Sequence, residues 1–209
     1  MENVASKSWD EAEATAGSEL RNAPRFTLLI RAARLVTPQG EFVCVIRDVS
    51  ETGVSVRLFH ALPKCDQIAL HMPGGQSYDV RTVWSRNNEA GFEFAQSVEV
   101  TQIINEASEY PKRGLRLQVH FPISATTLTE NFAATVENFS QQGARLECDR
   151  PLAIDQSLRI SCKDSFTDVR AKVRWRRDRV YGLVFDDTFT LGDFARLAAQ
   201  LQAPDLLSG

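Results

Sequence analysis

The sequence predicts an all-β chain built as two tandem six-stranded antiparallel β-barrels, each followed by a C-terminal α-helix. Three observations predict it. Short segments alternate apolar and polar residues strictly, as half-buried strands do. Turn signals, not helical stretches, separate those segments. The whole pattern also recurs after about ninety residues within a chain of 209.

The alternation is clearest in VSVRL, where Val54, Val56 and Leu58 alternate with Ser55 and Arg57, and in DVRAKVRW. In the latter, Val169, Ala171, Val173 and Trp175 are expected to face one way and Arg170, Lys172 and Arg174 the other. In the first half FTLLIRAARLV, EFVCVIRDV, VSVRLF, QIALHM, SYDVRTVWS and AGFEFA read as strands, broken by PQG, ETG, LPKCD, MPGG and RNNE. Six strands with no intervening helix suit a small closed barrel, which leaves no open sheet edge. Each half then ends in a helical stripe, Val100, Ile103, Ile104 and Ala107 in the first and Leu191, Phe194, Ala198 and Leu201 in the second. These stripes are expected to cap the barrel cores.

The repeat sets the domain organisation. Trp84, Gly91 and Phe94 map onto Trp175, Gly182 and Phe185 at an offset of 91, and Ser50 and Gly53 onto Ser140 and Gly143 at 90. A one-residue drift is what a loop insertion produces. The divisions expected are a polar tail or short helix over 1–19, a first domain over 20–109, a second over 111–202 and a tail over 203–209.

Net charge is −3, with 10 basic and 13 acidic residues through Asn105 and 14 of each beyond it. That balance argues against general affinity for duplex nucleic acid or an anionic membrane. Cys44, Cys65, Cys148 and Cys162 form no C-x-x-C pair and have no histidine at ligand spacing, so no metal is expected and buried reduced thiols are. The first residues lack the basic and apolar regions of a secretory signal, and no run is apolar enough to cross a bilayer, so a cytoplasmic protein is expected. His60, His71 and His120 lie apart near strand ends, without a nucleophile motif or a glycine-rich phosphate loop. They read as surface or rim residues, and the chain as no enzyme and without a cofactor.

Chemistry concentrates at RDVSETG. Asp48 and Ser50 lie two apart on one strand and are expected on the outer face, since Val49 takes the inner one. Gly53 ends the turn, where a positive φ or a close backbone approach is needed. A carboxylate and a hydroxyl together accept from N–H donors; alternatively the serine satisfies its own turn. Upstream, Arg21 and Arg25 are spaced R-x-x-x-R, and Lys112 and Arg116 occupy the equivalent places at offset 91. Guanidiniums grip phosphates, pair bidentately with guanine O6 and N7, and stack on a purine.

R-x-x-x-R ahead of the first strand, followed by [D/N]-x-S-x-x-G at the end of the second, resembles the PilZ domain, a family that binds the bacterial second messenger cyclic di-GMP. The resemblance covers both halves. It implies that Arg21 and Arg25 take the guanine and phosphates, Asp48 the guanine edge, Ser50 a nearby hydrogen bond and Gly53 the close turn. In the second half Arg116, Asn138, Ser140 and Gly143 match, whereas Lys112 departs from the pattern with Arg113 beside it. A lysine cannot reproduce the planar fork. The resemblance further implies a receptor that regulates another protein, in motility, polysaccharide synthesis or other surface-associated behaviour. Two other readings stand beside it: a ligand-free interaction scaffold, and a single-stranded nucleic-acid binder using Trp175, Arg176, Arg177 and Arg179. Against the last stand the net charge and the expectation that Trp175 lies in the core.

Overall fold

A computed structural model describes residues 26–104, 114–163 and 165–208. Strands β1 (Phe26–Thr37), β2 (Gly40–Val49), β3 (Gly53–Arg57), β4 (Ile68–His71), β5 (Ser77–Arg86) and β6 (Glu89–Phe94) form a closed antiparallel barrel in the order β1-β2-β3-β6-β5-β4. Helix α1 (Val100–Ile104) follows and buries Val100 and Ile103. Ala107 of the expected stripe lies outside the described residues.

The second half repeats the design with β8 (Phe121–Thr126), β9 (Asn131–Ser140), β10 (Gly143–Glu147), β11 (Ser157–Cys162), β12 (Phe166–Arg177) and β13 (Val180–Phe185), closed by pairing of β9 with β10. A further short strand, β7 (Arg116–Leu117), pairs with Ser140 and Phe139, while β8 pairs with residues 131–136 of the same strand. β7 and β8 are thus two pieces of one strand, the counterpart of β1. Helix α2 (Leu191–Gln202) closes the barrel, burying Phe194, Ala195, Leu197, Ala198 and Ala199. Its N-cap, Thr190, accepts from the Asp193 amide, and the Thr190 hydroxyl and the Arg196 guanidinium hold the Asp193 carboxyl below the usual range. Both barrels and both terminal helices are as the sequence predicts.

The strand β2 differs from a half-buried strand. Phe42, Val43, Cys44, Val45 and Ile46 are all buried. Cys44 and Ile46 belong to the first core, whereas Val43 belongs to the cluster that includes Phe194, Ala195 and Ala198 of α2. The outer face of β2 is therefore covered by the second half, and an unbroken apolar run is what burial on both faces requires. Polar groups fasten the same joint. The Gln202 amide accepts from Glu41 N and donates to Glu41 O, each at 2.8 Å. The Glu41 carboxylate accepts from Arg34 at 3.1 Å and from the Gln118 amide at 2.8 Å. Arg34 also donates to the Arg116 carbonyl at 2.9 Å.

Residues 203–209, read from the sequence as a tail, include a 3-10 turn over Pro204–Leu207, and the Leu206 carbonyl accepts from the Ala61 amide at 2.9 Å. The expected tail over 1–19 lies outside the described residues. Cys44, Cys148 and Cys162 are buried free thiols and Cys65 is half-buried. Burial pushes the Cys44 and Cys148 thiols up, away from reactivity. Among the described residues no cluster could hold a metal, and no helix is long and apolar enough to cross a membrane.

His60 corrects an expectation. It was read as a surface or rim residue but is only 2 % exposed, with its ring 5.0 Å from that of Phe42. The loop carrying it is clamped beneath the C-terminal turn. Its Nδ1 donates to the Ala61 carbonyl at 2.7 Å, and its Nε2 has no partner among the described residues. Burial lowers its pKa, only partly offset by that hydrogen bond. As pH falls, the unfolded chain takes up this proton first, near pH 6.5, so stability is lost below that point. We expect the melting temperature to fall between about pH 7.5 and about pH 5.5, and to fall less in His60→Gln. Equal pH slopes in the two proteins would show that the ring is not held neutral.

Candidate functional site

The end of β2 is shaped by a bulge. Ile46 pairs with Val56 and Asp48 with Ser55, so Arg47 is the extra residue between two ladder positions. This leaves Asp48 half-buried on the outer side, where its Oδ2 accepts from the Ser55 hydroxyl at 3.0 Å. Ser50 goes elsewhere. It is 4 % exposed, its Oγ donates to the Gly53 carbonyl at 3.3 Å and accepts from the Gly53 amide at 3.2 Å. The expected pair of acceptors side by side on an outer face is therefore not formed: the carboxylate faces outward and the hydroxyl closes the turn. Gly53 has no positive φ; its requirement is close approach, because a Cβ there would lie 2.9 Å from the Phe92 carbonyl oxygen.

Around Asp48 the outer surface of β2, β3, β5 and β6 forms a shallow depression of about 70 Å³, walled by Ser55, Val83, Trp84 and Gly91 among others. Trp84 is 37 % exposed, and the Arg86 guanidinium lies 5.6 Å from its ring centroid. Arg21 and Arg25 lie outside the described residues. β1 begins at Phe26, paired with Val49, so the described chain starts beside the Asp48 turn.

The second barrel supplies the corresponding geometry. β7 pairs Arg116 with Ser140, and the Arg116 guanidinium donates to Asn138 Oδ1 at 3.3 Å. Asn138 and Ser140 are buried, and the Ser140 hydroxyl donates to the Gly143 carbonyl at 3.1 Å. The second arginine of one motif and the asparagine of the other, 22 residues apart, are thus in direct contact. Arg116 borders an open cleft of about 630 Å³ whose lining also includes Ser140, Gly143, Arg174, Trp175 and Gly182. Lys112 and Arg113 lie outside the described residues.

Trp175 lies on the face opposite to the one its alternation predicts. Trp175 was expected to share the inner face with Val173, but it is 44 % exposed. Val173 pairs with Leu183 and Trp175 with Gly182, so Arg174 is an inserted bulge residue that turns the indole outward. The same shift occurs between Thr82 and Trp84 in the first barrel. Each indole lies against the glycine opposite: a Cβ would come within 2.1 Å of Trp84 Nε1 at Gly91, and within 2.0 Å of Trp175 Nε1 at Gly182. The available signal was the tryptophan–glycine pair seven residues apart, recurring in both halves. Both barrels therefore present an aromatic face beside their turn motif.

The PilZ domain family model matches this chain twice, over residues 19–110 and 111–203. No curated protein sequence matches it. Among solved structures it is similar to the Borreliella burgdorferi PlzA protein in complex with c-di-GMP, at 10 % identity and a TM-score of 0.35, covering 92 % of this chain and 99 % of that one. It is also similar to the K. pneumonia MrkH–c-di-GMP complex, at 13 % identity and a TM-score of 0.33, covering 93 % and 94 %. A third is the Bacillus subtilis inhibitor of motility MotI/DgrA, at 13 % identity and a TM-score of 0.35, covering 86 % and 98 %. With the family model spanning nearly the whole sequence, the chain belongs to the PilZ domain family, as two tandem members in one polypeptide.

Proposed function

We propose that this chain is a cyclic di-GMP receptor whose first barrel takes the ligand and whose altered surface then regulates a partner protein. The observation that carries the reading is the complete two-part motif, Arg21, Arg25, Asp48, Ser50 and Gly53, in a PilZ domain where Asp48 faces an outer depression. Each group has a role that guanine chemistry requires. The Asp48 carboxylate accepts from the guanine N–H edge. Arg21 and Arg25 supply forked donors to O6, N7 and the phosphates. Trp84 offers an exposed ring on which a purine stacks. Ser50 acts chiefly through the turn it closes, which fixes where Asp48 and the backbone stand.

Titration calorimetry of the full chain is expected to show cyclic di-GMP binding, with no response to cyclic GMP or GTP. Asp48→Ala should weaken binding about ten- to a hundredfold, the cost of leaving buried donors unpaired. Two arginines closing over the ligand would shield the backbone ahead of β1, so amide exchange over residues 15–25 should slow on binding. Absence of heat at high ligand concentration would overturn the ligand; binding without slowed exchange would overturn the route to the partner.

A further inference from the structure

The two barrels present the same tryptophan–glycine platform, but the hairpins that carry it have diverged in charge. Residues 79–89 hold two cations and two acids; the equivalent residues 170–180 hold six cations and one acid. Three of the six are neutralised on the spot: Arg170 pairs with Asp187 at 3.6 Å, Arg174 with Asp155 at 3.3 Å, and Arg179 with Asp149. Lys172, Arg176 and Arg177 form no ion pair among the described residues, and all three are exposed. The exposed indole of Trp175 stands between Lys172 and Arg177 on one face of β12, packed against Gly182 at the edge of the 630 Å³ cleft, while Arg176, paired with buried Tyr181, points to the other face.

We propose that this face of the second barrel binds single-stranded nucleic acid. An outward ring held on a glycine is a stacking platform for a base of any sequence, and unpaired cations beside it receive the flanking phosphates. Arg177 follows Trp175 by two residues, about 6.6 Å along β12, and Lys172 precedes it on the same outward face, so a cation flanks the ring on each side along an extended backbone. The cleft is open on the same side and lets the strand continue past Arg116. A duplex keeps its bases stacked on each other and leaves none for the indole. The chain's overall charge of −3 does not oppose this, because acids more than about 8 Å away are screened at physiological salt. One ground for rejecting this reading from the sequence was a core position for Trp175, which the bulge at Arg174 removes. The proposal concerns the second barrel and is independent of ligand binding at the first.

The test is fluorescence anisotropy of the full chain with a labelled oligothymidylate of about 15 nucleotides, the length scale of small barrel sites. Saturable binding is expected, with a log–log salt slope of about −1.4 if Lys172 and Arg177 meet phosphates. Trp175→Ala should weaken it roughly tenfold, whereas Leu128→Ala, at an exposed apolar position outside the cleft, should leave it unchanged. The combined variant Lys172→Gln, Arg176→Gln, Arg177→Gln should remove the salt dependence; all these positions are exposed, and an unchanged melting temperature checks the fold. No binding at low salt would overturn the proposal. So would equal affinity for a duplex of the same length, or for poly-glutamate, which would mark a surface for acidic proteins, or binding indifferent to Trp175→Ala.

Discussion

Gly143→Ala is expected to destabilise the second barrel severely, lowering stability by about 2–4 kcal/mol. A Cβ at this position would fall 2.1 Å from the Leu183 carbonyl oxygen and 3.1 Å from the Leu183 carbonyl carbon. Both are backbone atoms in the ladder, where Gly143 pairs with Val184, so nothing nearby can rotate away. Relief requires pulling β10 from β13 at the closure of the barrel. In a chain of this size such a loss corresponds to a fall in melting temperature of roughly 4–16 °C. Gly53→Ala meets a single carbonyl oxygen at 2.9 Å and should cost visibly less. Gly182→Ala is a useful contrast. It would displace the exposed indole of Trp175 and no backbone, removing the platform with a smaller effect on the fold. Differential scanning calorimetry of the three variants orders them, and a Gly143→Ala protein that melts within about a degree of the parent would refute the steric account.

Why these glycines are needed was only half legible in the sequence. Spacing placed Gly53 and Gly143 at turns but left open whether φ or crowding was the reason. Among the described glycines, only Gly40 and Gly75 take positive φ, so crowding is the answer at both motif positions. The strands themselves were readable, because alternation follows directly from one face being buried; Phe132, Ala134 and Val136 are buried while Ala133 and Thr135 are exposed. Alternation fails wherever one residue is added to a strand, since every later side chain then changes face. That is what misplaced Trp175. It fails too where a remote element covers the outer face, as α2 does for Val43, because nothing local in FVCVI announces its partner. His60 was misread for the same reason: the turn that buries its loop comes from the far end of the chain. The site divides likewise. The motifs identified which residues belong together, and Arg116 does meet Asn138; of the two readings open for the serine, engagement in its own turn is the one that Ser50 and Ser140 adopt.

The largest functional effect expected is loss of cyclic di-GMP binding on Arg25→Ala, with a stoichiometry in the unaltered chain of one ligand per polypeptide. Arg25 is the sequence equivalent of Arg116, and removal of a forked, stacking cation from a guanine site should weaken binding about a hundredfold or more when its neighbours lose their partner as well. The count stays at one because the second barrel lacks the full motif and the first lacks a cation to stack a further dinucleotide. Lys112 stands where the first half has Arg21, and a point charge supplies neither the fork nor the stacking plane. Leu20, directly ahead of Arg21, also offers no cation with which a second, intercalated dinucleotide could stack in the first barrel. Losing one bidentate contact costs about 1–3 kcal/mol, roughly ten- to a hundredfold in affinity. Calorimetry should therefore return a stoichiometry near one, unaffected by Arg116→Ala and abolished by Arg25→Ala. A stoichiometry near two, halved by Arg116→Ala, would mean that Arg113 takes the place Lys112 cannot fill. The second barrel would then be a working receptor and not a diverged partner that covers β2 and presents its own basic face.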